Sequence, residues 1–168
     1  MPGSSVPERA PTGTQYLVDE LVEARNGLFE ALSAVAPESM TTPGLVGDWS
    51  GRELVAHLGY CAGHAVEAIH AVESGRADEF GVNEPSVDEV NATVARVAVM
   101  TDLAVVQRRE VASFEALVER LRGLDPALLP LRLPDGGTLE DFIRGDGSAH
   151  YRQHADELRR VLAETPRG

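Results

Sequence analysis

The stretch Gly145–His154 reads Gly-Asp-Gly-Ser-Ala-His-Tyr-Arg-Gln-His, and the fold is decided by its spacing. His150 and His154 are four residues apart. On an α-helix that interval puts both imidazoles on one face, one turn apart, where two ring nitrogens can grip one metal ion. Leu139, Phe142 and Ile143 precede the pair at helical spacing, and Leu158, Val161 and Leu162 follow it. Continued through the middle, this apolar stripe lands on Asp146, His150 and His154. The inward face is therefore apolar at both ends and ligand-like at its centre. Burying such groups without partners costs roughly a few kcal/mol each, and a bound metal is the simplest common partner.

Working outward, Thr138 and Asp141 form a capping box that opens this last helix, which runs to about residue 163. Residues 123–137, with Pro126, Pro130, Pro134 and Gly136–Gly137, form a loop. Before it, Leu103, Val106, Phe114, Leu117 and Leu121 mark a helix over about 102–122, with Glu110 inside its apolar stripe. Ser86 and Glu89 box the start of another helix carrying Val87, Val90, Val94 and Val97, and Thr101–Asp102 predicts a break between these two. Leu54, Leu58, Cys61, Ala65, Ile69 and Val72 give a helix over about 50–75, opened by a Ser50–Glu53 box. Leu17, Val18, Leu21, Val22, Leu28, Phe29, Leu32 and Val35 give the first helix, about 14–36. No segment shows sustained strand alternation. The expectation is an all-α four-helix bundle over residues 14–165, preceded by a disordered tail, residues 1–13, rich in Pro, Gly and Ser.

With 168 residues the chain suits one domain with a substantial core. Its net charge of −12 argues against nucleic acid and anionic membranes as partners. All 15 basic residues are arginine, which excludes lysine Schiff-base chemistry. A single cysteine, Cys61, cannot make an intramolecular disulfide and fits a reducing compartment. The first residues lack the apolar core of a signal peptide, and no apolar run approaches a membrane span, so the expected location is cytoplasmic.

A catalytic site of the zinc type takes three protein ligands and leaves one position open. The third ligand is expected to be His57, between Leu54 and Leu58 on the second helix. The segment Asp48–Leu58, Asp-Trp-Ser-Gly-Arg-Glu-Leu-Val-Ala-His-Leu, resembles the tryptophan, Ser/Thr and Ala-His-Leu signature of the DinB-like superfamily. The His150–His154 pair resembles its closing His-x-x-x-His, and Val87–Asn91 is similar to a feature of the branch that includes the colibactin self-resistance proteins.

The resemblance implies a four-helix bundle, often a homodimer, with a divalent metal (zinc or nickel) on His57, His150 and His154. It also implies chemistry on a small electrophilic substrate. Related members use mycothiol as a thiol cofactor in isomerisation or transfer, whereas the self-resistance branch hydrolyses an electrophile. A non-catalytic ligand-binding or sequestration protein of the same fold is the alternative.

Two carboxylates are candidate catalytic groups. Asp146, four residues before His150, can orient an imidazole or act as a base, or else be a surface residue in a glycine-flanked kink. Glu110 is a general base or fourth ligand, or a glutamate at the margin of its stripe. His64 returns to the face of His57 seven residues on, Cys61 is one turn from His57 and read as an apolar filler, and Trp49 is read as a packing anchor.

Overall fold

The computed structural model describes residues 13–166. The expected disordered tail, Gly13 apart, lies outside the described residues. Six α-helices follow in order: α1 (Gln15–Ser33), α2 (Gly51–Glu73), α3 (Val87–Val99), α4 (Leu103–Gly123), α5 (Leu139–Asp146) and α6 (Ser148–Glu164). The described residues contain only isolated β-bridges, at Val46–Trp49 and Arg132–Thr138, and no strand.

The architecture is an all-α bundle. α2 packs along α4, α1 packs along α6, and α1 also meets α4. α5 and α6 together fill the fourth position, with α5 against α2. α3 sits outside, leaning on α2. The apolar stripes read from the sequence become the core: Leu28, Leu54, Ile69, Leu117, Leu121, Leu139 and Leu158 are sealed from solvent. Each such side chain contributes about 1.5–3 kcal/mol relative to leaving it exposed.

Two of the three capping boxes close as expected. Ser86 and Glu89 cap α3, and Thr138 and Asp141 cap α5, each side chain bonding the other residue's backbone N–H. The third differs. The Ser50 hydroxyl bonds the Glu53 carboxylate and makes no bond to the helix backbone. Both residues are buried, so the pair satisfies itself in place of the helix end.

The Thr101–Asp102 break separates α3 from α4 as predicted. The expected continuous last helix, however, is cut at Gly147 (φ −106°, ψ −109°). A Cβ at Gly147 would stand 2.5 Å from the carbonyl oxygen of Ile143, so only glycine fits this corner. The stripe survives the break because α6 restarts at once, with the N–H groups of His150 and Tyr151 both donating to the Gly147 carbonyl.

Candidate metal centre

α2 contributes His57 and α6 contributes His150 and His154. Their ligand atoms lie within 4.8 Å of one another. The Nε2 atoms of His57 and His150 are 2.5 Å apart, and those of His150 and His154 are 3.2 Å apart. Ligands about 2.0–2.1 Å from one tetrahedral ion stand about 3.3 Å from each other, so the second separation matches and the first is tighter.

The electrostatics suit a ligand set. Burial, reinforced by His150 and His154, lowers the pKa of His57 to about 3. Burial and then His154 lower that of His150. Both rings are neutral at neutral pH, and a neutral imidazole is the form that binds a metal. His154 is held by Glu157, whose Oε2 lies 2.8 Å from Nδ1. With the proton on Nδ1, the Nε2 lone pair of His154 faces the other two rings. Nδ1 of His57 is buried and has no hydrogen-bond partner of normal geometry. The Asn91 side chain is near enough to favour the protonated ring. Three converging ring nitrogens with one outer partner already in place fit a divalent ion.

The cluster opens into a cavity of about 270 Å³. Trp49, Val87, Val90, Asn91 and Gln153 form part of its wall. The Trp49 ring sits 5.0 Å from that of His57, centroid to centroid. Trp49 is thus a wall of the cavity and more than the anchor expected. Cys61 Sγ lies 3.9 Å from Nε2 of His57 and 3.8 Å from Nε2 of His150. Burial pushes its thiol well above the ordinary range.

Asp146 reaches the cavity but does not hold either histidine of α6. Its Oδ2 lies 3.1 Å from Nδ1 of His64, whose Nε2 faces Glu84 at 3.1 Å. The bond to Asp146 raises the His64 pKa against the opposing effect of burial, and Glu84 adds to the rise. His64 packs among the rings of Tyr60, Phe80 and Phe142.

Glu110 is buried and is not among the three groups that converge. Arg25 Nε and Nη2 bond its two oxygens at 2.8 and 2.7 Å, and the Tyr151 hydroxyl donates to it at 2.7 Å. The Arg25 guanidinium is sandwiched between Phe29 and Phe114, 4.4 Å from each ring centroid. Both oxygens of Glu110 are thus engaged by Arg25 and Tyr151.

Glu157, Asn91 and Glu84 were not singled out individually. Glu157 carried a signal: it lies one turn after His154. Asn91 closes the Val87–Asn91 motif. Glu84 sits in a loop with no periodicity to place it.

The family model for the mycothiol maleylpyruvate isomerase N-terminal domain matches residues 21–145. That span includes His57 and ends before His150. None of the curated proteins matches the chain. Two solved structures share the fold, each with a TM-score of 0.73 and 15% identity. One is an uncharacterised protein from Escherichia coli UTI89, over 92% of this chain and 95% of that one. The other is the colibactin self-resistance protein ClbS in complex with double-stranded DNA, over 94% of this chain and 99% of that one. The DinB-like expectation therefore holds.

The DNA in the second structure corrects the exclusion of nucleic acid drawn from net charge. A sum over the whole chain does not set the local field. In this chain Arg122, Arg152 and Arg159 share one surface hollow with Asp19, Glu23 and Glu30. Among the described residues, no helix is long and apolar enough to cross a membrane.

Proposed function

The chain belongs to the mycothiol maleylpyruvate isomerase N-terminal domain family, and from that membership we propose that it is a metal-dependent enzyme acting on a small electrophilic substrate. His57, His150 and His154 would hold the ion, zinc or nickel, both of which accept imidazole donors. The observation that carries this reading is the convergence of three Nε2 atoms in a walled cavity. An ion there supplies Lewis acidity and favours the deprotonated form of a water or thiol nucleophile, mycothiol being the thiol the family name suggests.

The remaining work falls to side chains of the chain itself. Glu157 fixes the ring of His154. Trp49, Val87 and Val90 give one side of the cavity an apolar wall. His64, between Asp146 and Glu84, is a proton carrier at the cavity wall, and Asp146 acts through it.

The test is elemental analysis of untagged protein alongside the His150→Ala, His154→Ala double variant. Near one zinc or nickel per chain, lost in the variant, supports the metalloenzyme. No metal in either, and no uptake when zinc or nickel is added, sinks it.

A second reading rests on Cys61. Its sulfur stands at a ligand-like distance from two of the three nitrogens. If it closes the coordination shell, the site becomes structural, and a non-catalytic ligand-binding or self-resistance role leads. A sulfur scatterer in the metal's X-ray absorption spectrum would identify that case.

A further inference from the structure

α3 roofs two hollows, and only the first belongs to the histidine site. Val87, Val90 and Asn91 at its start cover the histidine cavity. Val94, Val97 and Ala98 towards its end wall a groove of about 650 Å³. The groove exists because α3 and α4 both pack on α2 and scarcely on each other. Its opposite wall includes Val106 of α4, and its floor is Ala56, Gly59 and Gly63 of α2. Tyr60 and His64 line both hollows, so the groove adjoins the histidine cavity directly. The volume lies in the range of small-molecule sites, about 300–1,000 Å³.

The two floor glycines differ. A Cβ at Gly59 would stand 3.0 Å from the Cα of Glu110, so close helix packing requires glycine there. A Cβ at Gly63 would meet only the Ser113 hydroxyl, at 3.7 Å. Helix packing gives no reason for glycine at position 63, in mid-helix, where glycine is unfavourable relative to alanine. The consequence of having no side chain there is an open floor.

We propose that this groove binds the apolar body of the substrate whose reactive end lies at the three histidines. The substrate is then an amphiphile, with several carbons of apolar chain or ring beyond its electrophilic group. This rests on the metalloenzyme reading for the reactive end and on the groove alone for the tail. Tyr60 and His64, shared with the lining of the histidine cavity, put the groove beside it and favour a small molecule over a second protein chain. The lining is mostly apolar; Glu67, Arg109 and Glu110 also stand on it, and the Glu110 carboxylate is held by Arg25 and Tyr151.

The test uses the metal-loaded full chain and n-alkyl hydroxamic acids from acetohydroxamic to decanohydroxamic acid. The hydroxamate head chelates the metal while the tail lengthens. Affinity should rise about threefold per methylene once the tail enters the groove. Gly63→Leu, which fills the floor, should remove that increment and leave acetohydroxamate affinity unchanged. Val97→Asp, on the partly exposed wall, should do the same and guards against misfolding of the first variant. Gly63→Ala should raise the melting temperature yet weaken the longest ligands.

A flat chain-length series overturns the proposal, as does an increment that survives Gly63→Leu and Val97→Asp. Decanol binding by calorimetry needs no metal and separates the two readings. If hydroxamates fail but decanol binds in a Gly63-dependent way, the metal site falls and the groove stands. If decanol also fails to bind, the groove falls with it.

Discussion

Two buried polar clusters share this bundle, and neighbouring residues of α6 serve them. Tyr151 belongs to the Arg25–Glu110–Tyr151 triad, in which donors and acceptors are matched: a bidentate guanidinium, a carboxylate and a hydroxyl. His150 belongs to the other cluster, in which three ring nitrogens face one another and the Cys61 thiol stands at the rim. The first is complete as it stands. The second is the one that could take a cation. A buried polar group that has found its partners supports the fold; one whose partners are all of its own kind indicates a ligand. The two clusters are therefore expected to respond in opposite ways to substitution.

The largest effect should come from Glu110→Ala. It strands Arg25 in a partly buried setting and removes the acceptor of Tyr151. Breaking a buried ion pair from one side costs about 3–5 kcal/mol, read as a lower denaturant midpoint. His154→Ala should leave the midpoint of the metal-free protein within about 1 kcal/mol, because its removal relieves crowding among like groups. If both substitutions destabilise the metal-free protein equally, the histidines are as structural as the triad and the contrast fails.

Metal binding should come next in size. A ligand present at a hundred times its dissociation constant stabilises the native state by about 2.7 kcal/mol. Zinc or nickel at that ratio should raise the melting temperature of the wild type at pH 7.5, and should leave the His150→Ala, His154→Ala variant where it was.

Acid should weaken the metal-free protein too. His57 titrates near pH 3 when folded and near 6.5 when unfolded. Between those values the unfolded chain binds the extra proton, so the contribution of His57 is full above about pH 6.5 and is lost as pH falls towards 3. His64 works in the opposite sense. Its pKa is raised by Asp146 and Glu84, so its contribution is full at low pH and lost as pH rises through the folded value. A His57→Phe variant should flatten the acid limb of stability against pH between 6.5 and 4. An unchanged limb would mean that His57 is not the group being protonated.

The helices were legible from local spacing, and the convergence of the three histidines from spacing together with the resemblance around Asp48–Leu58. The stripe Leu54–Leu58 places His57, and the i, i+4 interval places His150 and His154. Glu110 was legible as an anomaly, a charge inside an apolar stripe, but not as to its role. Its partner Arg25 lies 85 residues away, and only packing brings α1 to α4. The break at Gly147 was hidden for a similar reason. Asp146 and His150 keep the four-residue interval of one helix, while the corner between them comes from the tight approach of Gly147 to the Ile143 carbonyl. The groove under α3 could not be read at all: a gap is a property of two helices that fail to meet, and neither sequence segment encodes it alone.

The smallest effect, and the one that decides between an open and a closed centre, should be that of Cys61→Ala. Cys61 lies one turn from His57 on α2, so its sulfur is carried to the rim of the cluster by the same helix face. It is not among the three groups that converge within 4.8 Å. Burial holds its proton in place in the metal-free protein. An ion bound by three imidazoles would have to displace that proton before the sulfur could join them. Removing a small buried side chain should cost about 1 kcal/mol or less. With an open centre, metal stoichiometry and affinity should be unchanged in Cys61→Ala, and cobalt loaded into the wild type should show no thiolate charge-transfer band. A fall in affinity of tenfold or more, together with such a band in the wild type, would place Cys61 on the ion. The centre would then match the Arg25–Glu110–Tyr151 triad in having every position filled, and its role would be structural as well.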